Sequence, residues 1–355
     1  MPRAMQSNRI LLLDSLRGFA AAWVVIFHLN EVGKFAPSVY QSFVSAGWLG
    51  VPIFFVLSGY SIHASLLRAP TVRTFLWRRF WRIYPPYVAS LALVIIAVIL
   101  RKLTSGNNDL IPLPHGPLGW IEIFTLTTKP VSSTVPINWV YWTLSYEAAF
   151  YLWLTIALAF PRIRWPLVFA PVVLSLVWHA APIFFIDQWC LFALGVAIAE
   201  WRHDRNGLAS VLVPVLITAC LIDALIHRKG GETVAAGLTF ILVSMAISGR
   251  FGWLNRIPVL HRIGDWSYSL YLTHVPIGAW LALRIDPYRR SMSASSLPVH
   301  IAIDAMAFSL CCGFAILFWK FIERPSMAVA HRKGIFGREP LPPTAAPPTP
   351  GHVAV

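Results

Sequence analysis

Long apolar runs recur along most of this chain, and they constrain its fold more than any other feature. A hydrocarbon core of about 30 Å takes roughly 20 apolar residues of helix. Lipid offers the backbone no hydrogen-bond partner, so each such run must satisfy its own peptide groups, as a helix does. Ten candidate spans follow, at approximately 11–29, 44–67, 84–100, 140–160, 163–180, 182–200, 208–226, 232–249, 266–284 and 299–322. Only 12% of the 355 residues are charged, against roughly 25% in a soluble domain. The fold class expected is all-α: a polytopic integral membrane helical bundle of about ten transmembrane helices in the cell (inner, cytoplasmic) membrane.

The net charge of +14 has a membrane explanation. No soluble, basic, aromatic-interleaved domain is present to hold nucleic acid, whereas Lys and Arg accumulate in cytoplasmic loops. With ten spans, one set of loops carries nineteen Lys and Arg and the alternate set nine. The richer set includes both ends of the chain, so both termini are expected in the cytoplasm. Asp14 and Arg17 interrupt the first apolar run, which reads as a retained span rather than a signal peptide. Three segments result: a cytoplasmic N-terminus at 1–9, a membrane domain at 10–326, and a Pro-rich disordered cytoplasmic tail at 327–355. The connection at 101–139, with five prolines, reads as an ordered or partly re-entrant external loop. Cys190, Cys220, Cys311 and Cys312 lie in apolar runs without CxxC or zinc spacing, so neither a disulfide framework nor a metal site is expected.

Ionisable groups within spans are expensive and need a partner or a function. The first span holds Asp14, Arg17 and His28. Eleven residues separate Arg17 from His28, which brings them within about 20° of one helix face and about 16 Å apart along the axis. Arg17 also fits snorkelling or pairing with Asp14, and His28 an interfacial helix end. In RTFLWRRFWRIYPPY, Arg78 and Arg82 are four residues apart on one face, and Arg79 adds to the cationic patch. Guanidinium groups bind phosphates bidentately; by composition alone, ordinary positive-inside anchoring with lipid headgroup contact is the favoured reading of the patch. Glu147 sits in the outer third of the fourth span among aromatics, either as a bundle hydrogen bond or as the partner of a cation or histidine. His274, in YSLYLTHVP, reads as an interhelical hydrogen bond.

Two tempting motifs are weak. His261 to Asp265 spells HxxxD, but in a short internal loop. Ser58 lacks the G-x-S-x-G setting of a nucleophile elbow; Ser58-Gly59 fits a close helix approach instead.

Together these segments resemble a known family. LDSLRGFAAAWVVIFHL at 13–29 resembles the opening of the acyltransferase family 3 proteins, integral membrane acyltransferases. FFVLSGYSI at 54–62, RRFWRIYPPY at 78–87, WTLSYEAAFYL at 142–152, IGDWSYSLYLTHVP at 263–276 and FIERP at 321–325 follow in family order. The resemblance implies O-acylation, commonly transfer of acetyl from acetyl-CoA to a hydroxyl of a cell-surface glycan or a glycosylated metabolite. It implies that His28 is the catalytic histidine and Arg17 the first-helix arginine. Arg78 and Arg82 match the RxxxR motif associated with the CoA donor, and Glu147 the motif's carboxylate. Ala148 stands where many members carry a second acidic residue, and Tyr60 where phenylalanine is commoner.

The expectation is an O-acyltransferase with no tightly bound cofactor and acyl-CoA as donor substrate. A carbohydrate or glycosylated acceptor and the lipid bilayer are its partners. CoA docks on Arg78, Arg82 and Arg17, and His28, oriented by Glu147, deprotonates the acceptor or carries the acyl group itself. The rival class is a transporter or flippase for a glycan precursor, since intramembrane Arg, His and Glu also line transport paths. No internal repeat of the kind many transporters show is visible.

Overall fold

The computed structural model describes residues 10–30, 38–69, 71–105, 113–114, 116–177, 185–227, 230–248, 258–278 and 297–330. Its regular elements are all helical, with no strand among the described residues. Helix α1 spans Leu11–Asn30, α2 Val39–Ser45, α3 Gly50–Leu67, α4 Val72–Ser105 and α5 Pro117–Phe124. Next come α6 Trp142–Ala159, α7 Arg164–Val177, α8 Ile186–His203, α9 Ala209–His227 and α10 Gly230–Ile247. The last four are α11 Pro258–Asp265, α12 at 267–278, α13 Leu297–Phe318 and α14 Arg324–Ala330. A π-helical turn, Trp319–Glu323, joins α13 to α14.

Six helical stretches among the described residues are long and apolar enough to cross a bilayer: Leu11–Asn30, Val39–Leu67, Val72–Leu100, Ala209–His227, Gly230–Ile247 and Leu297–Ala330. The chain is a multi-pass helical membrane protein. The other four expected spans fall on α6, α7, α8 and α12. Helix α6 opens with the polar residues Thr143, Tyr146 and Glu147, which bond to Tyr271, Asp187 and Tyr151 inside the bundle. Helix α7 has 14 residues and α12 is described only to residue 278. Helix α8 carries Asp187, Glu200 and Arg202 near its ends, yet every residue from Trp189 to Glu200 is buried. It is a central helix covered on all sides. The N-terminus at 1–9 and residues 331–355 lie outside the described residues. The expected boundary at 326 falls inside α14, which continues to Ala330.

Glycines set the closest helix crossings. A Cβ on Gly59 of α3 would come within 2.1 Å of the Phe192 carbonyl oxygen, and one on Gly195 of α8 within 2.2 Å of the Val56 carbonyl oxygen. The two backbones touch, as small residues allow inside membranes. The same device brings α11 onto the start of α1, where a Cβ on Gly264 would sit 2.0 Å from the Asp14 carbonyl oxygen. The segment read as an internal loop is thus a helix. His261 lies on it with Nδ1 3.8 Å from the Asp14 carboxylate, so HxxxD faces a helix crossing.

Helix α4 contains Pro85 and Pro86. Pro85 has no N–H for the carbonyl four residues earlier, that of Trp81. The Ser326 hydroxyl of α14 donates to that carbonyl instead, the kind of side-chain rescue that makes proline tolerable in a membrane helix. Tyr268 of α12 donates to the Ile83 carbonyl at 3.0 Å and ties α12 to α4. Glu323, in the FIERP segment, is buried and accepts from Ser269 N at 3.2 Å and Ser269 Oγ at 2.5 Å. Ser269 lies in the first turn of α12, where backbone N–H groups lack intrahelical acceptors. The carboxylate therefore anchors the start of the helix that carries Tyr271 and His274. The described part of the 101–139 connection is ordered: α5 ends against α4, where Tyr87 donates to the Ile123 carbonyl at 2.7 Å.

Candidate active site

Two clefts meet inside the bundle. The first holds roughly 780 Å³ of empty space, its mouth included, between α1, α3, α4, α6 and α12. Arg17, Arg79 and Arg82 line it together with Ser58, Ser61, Glu147, Tyr268 and Tyr271. Arg17 donates to Ser61 Oγ at 2.6 Å and lies 3.7 Å from the Asp14 carboxylate. Arg79 lies over the rings of Phe75 and Tyr151, 5.4 and 5.7 Å from their centres. Tyr151 donates to Glu147 Oε1 at 2.6 Å. Three guanidinium groups therefore face one carboxylate across this cleft.

Arg78 is not on the lining of this cleft; Arg79 is. Helix geometry accounts for the difference. At 100° per residue, Arg79, Arg82 and Ile83 span an arc of about 100°, and Arg78 lies about 40° beyond its edge. The four-residue spacing groups Arg78 with Arg82 and leaves Arg79 as an addition to the patch, whereas Arg79 is the one that lines the cleft. The available signal was that Ile83, an apolar neighbour, continues the face of Arg79 rather than that of Arg78.

The second cleft, with roughly 720 Å³ of empty space when its open mouth is included, is lined by His28, Trp48, Trp139, Trp142, Gln188 and Glu232, among others. Val51 and Tyr271 line both clefts. Tyr271 is held in that shared wall by its hydroxyl, which lies 2.8 Å from Thr143 Oγ1 and donates to the Val140 carbonyl at 2.8 Å. Asn138 brings Trp139 to the second cleft. Its side-chain Oδ1 accepts from Val140 N at 3.3 Å, starting the 3-10 turn Trp139–Tyr141, and its side-chain Nδ2 donates to the Leu272 carbonyl at 3.5 Å. The Trp139 ring then meets His28 edge-on, with centres 6.3 Å apart.

The polar partner of His28 is a second histidine. His28 Nδ1 lies 2.9 Å from His274 Nε2, with the rings stacked at 5.1 Å. His274 is 1% exposed. The interhelical hydrogen bond expected of His274 is therefore present, and it ends on the candidate catalytic residue. Glu147, expected beside the imidazole, instead lines the arginine cleft and accepts from Tyr151. Its place is explained by helix phase: Thr143, Leu144 and Glu147 of α6 form one stripe that faces Arg17 and Arg82.

An acyltransferase domain model matches residues 10–319 of the chain. The chain belongs to acyltransferase family 3. Among similar proteins, a Staphylococcus aureus protein described as an O-acetyltransferase is 25% identical over 88% of this chain and 56% of its own length. The peptidoglycan O-acetyltransferase OatA of Listeria monocytogenes is 29% identical over 75% of this chain and 49% of its own. A membrane-bound transacylase of Komagataeibacter xylinus, BcsY, is 26% identical over 93% of this chain and 86% of its own. The chain thus spans about half the length of the Staphylococcus and Listeria relatives. No solved structure matches it significantly.

Proposed function

We propose that this chain is a membrane O-acyltransferase that moves an acyl group, acetyl in the simplest case, from acyl-CoA to a hydroxyl of a surface polysaccharide or its lipid-linked sugar precursor. The observation that carries the reading is the pair of clefts: guanidinium groups in one, His28 in the other, and a shared wall at Val51 and Tyr271. Ten crossings with both termini cytoplasmic complete the reading, supported by the nineteen-to-nine loop asymmetry. Arg17, near the start of α1, then faces the cytoplasm, and His28, near its end, the external side.

In this mechanism Arg17, Arg79 and Arg82 hold the donor's phosphates, while Glu147 and Asp14 balance their charge. The pantetheine arm runs past Tyr271 and delivers the thioester to His28. An acceptor hydroxyl gives its proton to the imidazole and attacks the acyl carbon. The C–O bond forms, the C–S bond breaks, and the departing CoA sulfur takes the proton from His28. Three indoles beside His28 offer flat apolar faces for a sugar ring, and Gln188 and Glu232 offer polar groups for its hydroxyls. The name of the Listeria relative agrees with O-acetyl transfer, and that of the Komagataeibacter relative with acyl transfer at a membrane.

The test uses membrane vesicles supplied with labelled acetyl-CoA and isolated surface glycan. His28→Ala should lower label transfer at least about a hundredfold, the scale of a lost general base, with unchanged insertion. Full transfer by that variant overturns the reading. Intact acetylation with changed export of unmodified polymer favours a transporter.

A further inference from the structure

We propose that His274 is a positioning residue that fixes the tautomer and the direction of the His28 ring, so that His28 Nε2 carries the lone pair. The inference rests on the acyl-transfer reading for its consequence, and on hydrogen-bond geometry for its content.

The hydrogen-bond chain starts at a backbone. His274 Nδ1 lies 3.1 Å from the Leu270 carbonyl and 2.8 Å from the Tyr271 carbonyl, four and three residues earlier in α12. A carbonyl only accepts, so the proton of the neutral His274 ring is on Nδ1. His274 Nε2 is then an acceptor. It faces His28 Nδ1 at 2.9 Å, so His28 Nδ1 must donate. In a neutral imidazole that leaves His28 Nε2 unprotonated. The backbone of α12 thus determines, through two rings, which nitrogen of His28 accepts a proton.

The neutral partner suits a site inside a membrane. A buried carboxylate in place of His274 would orient the ring equally well but place a permanent charge in a desolvated setting. A neutral imidazole leaves the resting site uncharged. When His28 Nε2 takes the acceptor's proton, the Nδ1–H bond to His274 becomes charge-assisted and stronger. The favourable interaction therefore grows as charge develops, as transition-state stabilisation requires. His274 touches no reacting atom in this scheme.

Two variants separate positioning from structure. His274→Phe keeps a ring but removes the acceptor, and the Leu270 and Tyr271 carbonyls keep their helical partners. His274→Gln restores an acceptor near the former Nε2. In full-length protein in liposomes, solid-state NMR of labelled histidine reads the His28 tautomer. The expected result is Nδ1–H in the natural protein and in His274→Gln, and a mixture in His274→Phe. In acetyl transfer, His274→Phe should lower kcat about a hundredfold with donor KM unchanged, and His274→Gln should recover most of that loss. A His28 tautomer that stays Nδ1–H in His274→Phe overturns the proposal, whatever the activity. So does an equal kcat loss in both variants with the tautomer unmoved. If His28→Ala keeps full activity, the acyl-transfer reading fails instead, and the tautomer measurement still decides the role of His274.

Discussion

At the scale of single residues, the electrostatic design of the arginine cleft rests on which guanidinium groups turn inward. Arg17, Arg79 and Arg82 line it, whereas Arg78 does not. A charge-assisted hydrogen bond contributes about 1.5–3 kcal/mol, and every 1.4 kcal/mol is about a factor of ten in affinity. Arg79→Gln should therefore raise the KM for acetyl-CoA about tenfold to a hundredfold. Arg78→Gln should leave it within about twofold, as a change off the binding surface does. Steady-state transfer assays at saturating acceptor check both. Equal effects of the two changes would return Arg78 to the cleft and remove the distinction drawn from helix phase. Glu147 follows the same helix phase: it lies beside the guanidinium groups and accepts from Tyr151, and does not line the cleft of the imidazole.

At the scale of helices, the site is held by crossings and by repairs to the backbone. The contact of α3 with α8 depends on Gly59 and Gly195, because a Cβ at either position would overlap a carbonyl oxygen of the facing helix. Backbone cannot move aside as a flexible side chain can. Gly195→Val should destabilise the purified protein by about 1–3 kcal/mol or more, the cost of overpacking, seen as a lower thermal midpoint in detergent. An unchanged midpoint would mean that the helices are free to separate. Helix α3 carries Ser58 and Ser61 into the arginine cleft, so the same variant should also weaken donor binding. Helix α12 depends on Glu323 at its first turn, and α4 on Ser326 beside its prolines. Both supports come from the last described stretch of chain, which explains why FIERP matters although it lines neither cleft.

At the scale of the whole molecule, the clefts lie along α1 from Arg17 to His28, and the direction of transfer follows from which end faces the cytoplasm. Thr71, just before α4, and Ser133, in the loop before α6, are both exposed. With the arginine-rich ends inside, a Ser133→Cys variant should react with an impermeant maleimide on intact cells. Thr71→Cys should react only after permeabilisation. The reverse pattern would invert the proposed path of the acyl group. Much of this molecule is legible from the sequence, because lipid leaves a long apolar run little choice but a helix. The all-helical class and the first-helix stripe from Arg17 to His28 are properties of one helix at a time, set by composition and a 3.6-residue period. Tertiary structure decided what no single helix contains. It set Arg79 rather than Arg78 in the cleft and Glu147 among the arginines, and it put His274, 246 positions away in sequence, against His28. Those outcomes depend on how helices rotate and cross, and the crossing at Gly59 and Gly195 and the cap at Glu323 are formed only when distant segments pack.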